Sequence, residues 1–95
     1  MWELIVNYSD PNFVGNLLER MAQITSQTLG EYGDVASCNQ ALKDIVFSSA
    51  EQGWDIVRKH TNEYTYALNA DLLFNESRKA GISCSYNNAA QYNGW

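Results

Sequence analysis

At 95 residues the chain has the length of one domain and can bury roughly two thirds of its unfolded surface without a metal or disulfide staple. Eleven acidic against six basic residues give a net charge of −5, which opposes phosphate backbones and disfavours nucleic acid as a partner. No apolar run approaches the roughly 18 residues of a membrane span, and the first residues lack the pattern of a secretory signal, so a cytoplasmic protein with no membrane partner is expected.

The apolar run Trp2-Glu3-Leu4-Ile5-Val6 predicts a strand that stops at the polar turn Asn7-Tyr8-Ser9-Asp10-Pro11. Asp10 can accept the free N–H groups of a first helical turn, and Pro11 sits where its missing N–H costs nothing. Val14, Leu17, Leu18, Met21, Ile24 or Thr25, Thr28 and Leu29 then keep helical spacing, with Asn16, Glu19, Arg20, Gln23 and Gln27 opposite, so a long helix is expected to run to Gly30. A loop follows. Ser37-Cys38-Asn39-Gln40 fits a capping box for a second helix, in which Ala41, Leu42, Ile45, Val46 and Ser49 share a face and Gly53 ends the run. Phe47 falls off that face.

Beyond Gly53 the period changes to alternation. Trp54 to Lys59 and Tyr64 to Leu68 suit strands joined by the polar His60-Thr61-Asn62-Glu63, with a single helix from Thr61 to Ala80 as the competing reading. Asn69 can cap a third helix that buries Ala70, Leu73, Phe74 and Ser77 and ends at Gly81, after which Ile82 to Tyr86 alternate as a closing strand. Residues 87–95, rich in Asn and Ala, have no period and are expected to form a flexible tail on a single domain of residues 1–86. The fold class expected is α+β: a small antiparallel sheet of about three to four strands covered by helices, in strand-helix-helix-strand(s)-helix-strand order. Its core is expected to contain Leu4, Val6, Val14, Leu17, Leu18, Met21, Leu42, Ile45, Val46 and Leu73.

Three stretches resemble the ClpS family, small adaptors that present proteins bearing N-terminal degrons to a Clp unfoldase. Trp2 to Val14 is similar to that family's first strand, Asn-led turn and Pro-started helix, through Asn7, Pro11 and Phe13-Val14. Ile45 to Gly53 resembles its helix ending in Glu-Gln-Gly, and Asn69 to Tyr86 is similar in pattern. The resemblance implies a site in which Asn7 and neighbouring acids receive the substrate's α-amino group. The chain departs from the family there: Tyr8 and Ser9 leave Asp10 as the nearby acid, and Ala50 stands where the family has a His.

Catalytic signatures are missing. Cys38, His60 and Cys84 are too far apart in sequence to read as a zinc site, so no metal or cofactor is expected and the cysteines are read as two free thiols. Glu19, Asp44, Glu51, Asp55 and Glu76 all sit where solvated charges belong, and no acid-base pair can be chosen among them. Aromatic residues are the positive signal, because a small core cannot hide all of them and interface cores are enriched in them. The expected function is therefore a non-enzymatic protein-binding module, adaptor-like or inhibitory toward a larger protein machine, of the kind that phages and mobile elements direct at host defence or proteolysis. Asn7, Tyr8, Asp10, Tyr32 and Phe47 are the partner-binding candidates. The alternatives are an N-degron adaptor for a Clp unfoldase, a small enzyme using scattered acids or Cys38, and an oligomeric component marked by a large apolar patch from the tail or from Tyr64 and Tyr66.

Overall fold

The computed structural model of the chain describes residues 1–86. Its elements are β1 (Trp2–Ser9), α1 (Leu17–Ala22), β2 (Thr25–Tyr32), α2 (Val35–Glu51), β3 (Asp55–Thr61), β4 (Leu68–Phe74) and β5 (Arg78–Tyr86). The strands form one antiparallel sheet in the order β2-β1-β5-β4-β3, with α2 packed across it. The expected tail falls outside the described residues.

This corrects the expected fold class. The sheet has five strands instead of three or four, two helices replace three, and the order is β-α-β-α-β-β-β. Two segments account for the difference. The long first helix shrinks to Leu17–Ala22, and the residues after it pair with β1 as Thr25–Tyr32. Ile24, Thr25 and Thr28 are β-branched and give up side-chain freedom in a helix, so an available strand edge outweighs the helical spacing there. The third helix is a hairpin: Leu68–Phe74 pairs with Arg78–Tyr86 around a turn in which Asn75 and Glu76 take positive φ, 49° and 58°. That turn draws on the tolerance of Asn for the left-handed region, without the glycine that usually signals it. The strand-helix order implied by the ClpS resemblance is consequently not the order of this chain, although its Ile45–Gly53 stretch does close a helix.

The second helix lies close to where its spacing put it, three residues longer at the start. Asp34, not Ser37, is the cap, and its carboxylate accepts the Ser37 backbone N–H at 2.7 Å. Hydrogen bonding from the Ser37 backbone and hydroxyl holds the Asp34 carboxyl below the usual acid range. At the other end Gly53 has φ 100°, and a Cβ there would meet the Phe74 ring at 3.3 Å, so glycine is required by backbone and packing together.

The core lies between α2 and the middle of the sheet. Leu4 and Val6 of β1, Ala80, Ile82 and Cys84 of β5, and Ala70 and Leu72 of β4 are buried against Cys38, Leu42 and Val46 of α2. Alanines at 70 and 80 let the helix approach the sheet closely. Along one inward row, pairing runs Lys59, Ala70, Ile82, Val6, Gln27, so apolar character fades from the centre to both edges. A helix about 10 Å across cannot shade five strands spaced about 4.8 Å apart.

Cys38 and Cys84 face each other across this core with Cα atoms 6.0 Å apart and form a disulfide. The expectation of two free thiols is thereby corrected: 46 residues separate them in sequence, and strand pairing closes that distance. The core expectation holds for Leu4, Val6, Leu42 and Val46, while Ile45 is partly buried. It fails for Val14, Leu17, Leu18 and Met21, which are all exposed, and Leu73 faces away from α2 with Asp55 and Lys79. Leu18 is 77% exposed, so Leu18→Ala is expected to change stability by no more than about 0.5 kcal/mol, measured as an unshifted denaturation midpoint.

Candidate functional site

Incomplete cover by α2 leaves a groove of about 260 Å³ along the β3 side of the helix. Its walls come from Leu42, Lys43, Val46 and Phe47 on α2, from Lys59, His60 and Thr61 on β3, and from Leu68, Asn69 and Ala70 on β4. The cause is local. In the inward rows of the sheet β3 contributes Lys59 and Thr61, opposite Ala70 and Leu68, where a core strand would carry large apolar residues. Nothing fills the space beneath Phe47, which stands 56% exposed over an aliphatic floor.

A register shift between Ile56 and Arg58 sets which cation faces where. Val57 takes up the extra residue, Arg58 turns to the face away from α2, and Lys59 turns toward the helix. Arg58 is committed there, with Nε donating to Asp71 Oδ2 at 2.8 Å and a second nitrogen to Asn69 Oδ1 at 2.5 Å. Lys43 and Lys59 belong to no ion pair among the described residues. The groove thus combines an apolar floor with two uncommitted ammonium groups. It also borders a sheet edge that is free among the described residues, where β3 pairs with β4 alone.

At one end of the wall lies the turn between β3 and β4. Asn62 Oδ1 accepts the N–H groups of Tyr64 and Thr65 at 2.8 and 3.0 Å. From α2, the Asn39 side chain donates to Tyr66 O at 2.8 Å and accepts from the Leu68 N–H at 2.9 Å. Backbone bonds from Asn62 N–H to Ala67 O and from Tyr66 N–H to Asn62 O close the turn further, yet Tyr64 and Tyr66 point outward, 84% and 69% exposed. The strand expected over Tyr64 to Leu68 is thereby corrected: the chain turns here, with Tyr66 at φ 62°, and β4 starts at Leu68.

The five candidate residues read from the sequence do not converge. Phe47 is in the groove. Asn7 lies on the face away from α2, in a row with Ser26, Gly81, Asp71 and Arg58, and its side-chain oxygen accepts a hydrogen bond from the Ser26 hydroxyl. Tyr8 sits on the helix side, lining a smaller space with Ile45, Trp54 and Leu72. Asp10 belongs to the loop before α1, where its carboxylate accepts the Asn12 N–H at 2.8 Å. Tyr32 is half-buried against the core at the far end of β2. Asn7 and Ala50, positions that the ClpS resemblance would bring together, lie on opposite sides of the sheet.

Lys43 and Lys59 were not singled out by the sequence, and Tyr64 and Tyr66 were read as strand residues and as a possible oligomer patch, not as part of a groove wall. Alternation alone assigns Lys59 to the wrong face, because a bulge leaves no residue-type signature in Ile56-Val57-Arg58. Asn62 before Glu63-Tyr64 was the available turn signal. Chemically, Cys38 is wholly buried and bonded, so it offers no nucleophile. Among the described residues no group of three or more His, Cys, Asp or Glu could hold a metal ion, and no helix is long and apolar enough to cross a membrane. No family model matches the chain, and neither a curated protein nor a solved structure matches it.

Proposed function

We propose that the protein is a non-enzymatic protein-binding module, adaptor-like or inhibitory, whose α2–β3 groove receives an extended acidic segment of a protein partner. The groove supports this reading through three coincident features: an aliphatic floor under Phe47, the uncommitted Lys43 and Lys59, and the free edge of β3. An added strand takes backbone hydrogen bonds from that edge. Its alternate side chains then reach the groove, where apolar ones cover Leu42 and Val46 and acidic ones meet the lysines. Phe47, Tyr64 and Tyr66 supply the aromatic surface from which interfaces draw most of their energy.

The bound segment needs no chemistry from this chain, and a net charge of −5 weighs against nucleic acid. The Cys38–Cys84 bridge supports a working compartment that keeps disulfides oxidised, set against the cytoplasmic address suggested by the N-terminal residues.

Affinity capture from the native source tests the proposal. Wild type and the double variant Phe47→Ala, Lys59→Glu are compared as baits; both residues are exposed, so the variant keeps its fold. A partner retained by wild type is expected to bind the variant at least about tenfold more weakly, the loss of one aromatic anchor and one charge contact. Equal retention by both baits, or recovery of nucleic acid alone, refutes the groove.

A further inference from the structure

A run of exposed apolar residues lies away from that groove, in the connection between β1 and β2. Val14, Leu17, Leu18, Met21 and Ile24 are 89, 73, 77, 61 and 45% exposed. No residue of α1 is buried, and the helix makes no substantial contact with any other element. The segment is nevertheless held in place by polar groups. Asn16 caps α1 by accepting the Glu19 N–H at 2.9 Å, Gln23 Oε1 accepts the Asp10 N–H at 2.9 Å, and Asn12 donates to Glu76 O at 3.0 Å across the β4–β5 turn. An apolar surface has been fixed in place and left outside.

Directly after this segment comes β2, the other edge of the sheet. The two edges differ in kind. β3 carries Asp55, Arg58, Lys59 and His60, charges of the sort that keep an edge from pairing with its own copy. β2 reads Thr-Ser-Gln-Thr-Leu-Gly-Glu-Tyr, with Glu31 as its single charge and no Pro or Lys. An edge strand of that composition is a template for another strand.

We infer that β2 and the α1 segment form a two-fold interface with a second copy of this chain, in which the β2 strands pair antiparallel into a continuous ten-stranded sheet. Charge permits this. A register centred on Thr28 and Leu29, where β2 carries one extra residue opposite Ile5, sets Glu31 across from Ser26 of the other copy, so like charges do not meet. Area supports it as well. The five side chains expose on the order of 600 Å², the upper limit of what a monomer leaves in one patch. With the β2 edge beside them they approach the roughly 800 Å² per partner of a standard interface. Antiparallel pairing carries each α1 toward the Tyr32 end of the other copy's β2. Both α2–β3 grooves stay free at the outer edges of the joined sheet.

Sedimentation of the full chain across the micromolar range, with disulfide intact, tests the inference. The expected mass is twice the 10.7 kDa of the chain. Two variants at exposed positions, Thr28→Lys at the centre of the strand and Leu18→Glu with Met21→Glu on α1, are each expected to weaken the dimer at least tenfold while the circular dichroism spectrum is unchanged. A monomer throughout the range, or a dimer that persists in both variants, overturns the inference. So does a monomer that co-sediments with phosphatidylcholine vesicles and loses that binding in the Leu18→Glu, Met21→Glu variant, which gives the patch to a membrane surface instead.

Discussion

Reduction of the Cys38–Cys84 bridge, or replacement of both residues by Ala, is expected to lower the stability of the fold by about 3 to 4 kcal/mol. The bridge closes a loop of 46 residues, and the chain entropy it removes from the unfolded state grows with the logarithm of that length. It also joins α2 to β5 at the centre of the core, where Cys38 is fully buried and Cys84 7% exposed. For a domain of this size the loss corresponds to a fall in melting temperature of roughly 15 °C. Differential scanning calorimetry with and without reductant measures it. The doubly substituted protein serves as the control, since reductant should not move it further. An identical melting curve for the wild type in both conditions would mean that the bridge does not stabilise the native state.

Ile82→Ala is expected to cost about 4 kcal/mol, read as a lowered denaturant midpoint at unchanged slope. Ile82 is 2% exposed and sits on β5 between Ala70 and Val6, beneath α2. Leu→Ala and Ile→Ala changes in cores cost about 2 to 5 kcal/mol, and the upper part of that range applies where the surroundings cannot collapse. Collapse is hindered here, because Ala70 and Ala80 are already small and the bridge ties α2 to the same strand. Against marginal native stability of about 5 to 15 kcal/mol, this change combined with reduction is expected to unfold the chain near physiological temperature. A cost under about 1 kcal/mol would place Ile82 outside the core.

Where local pattern and tertiary partner agree, the sequence was readable. β1 and α2 are of this kind: one is an apolar run bounded by a polar turn, the other a periodic face ended by a glycine that the backbone needs. Where they disagree, the partner decides. Val14 to Leu29 has helical spacing, but Val14, Leu17, Leu18 and Met21 meet no core surface among the described residues, and its β-branched second half is taken by the edge of β1. Asn69 to Phe74 spaces its apolar residues as a helix would, yet Ala70 and Leu72 alternate inward because β3 and β5 flank it. The disulfide was unreadable for a related reason: Cys38 and Cys84 become neighbours only once β5 is the central strand. Of the candidate site, Phe47 was legible from helix phase, whereas the orientation of Lys59 depended on a bulge.

The order β2-β1-β5-β4-β3 also dictates when the molecule can come into being. β1 and β5 lie side by side at the middle of the sheet although one is the earliest strand made and the other the latest. During synthesis the β1–β2 hairpin, which α2 can cover, and the β3–β4 hairpin emerge as pieces that no strand yet joins. They join only when β5 arrives between them, so the contacts that hold the domain together are those of greatest sequence separation, and acquisition of the native state is slow for a chain this short. Until Ile82 and Cys84 leave the ribosome, Leu4 and Val6 can rest against Leu42 and Val46 of α2 but lack the β5 half of the core that completes their burial, and the nascent chain depends on chaperones or on speed to avoid pairing with its neighbours.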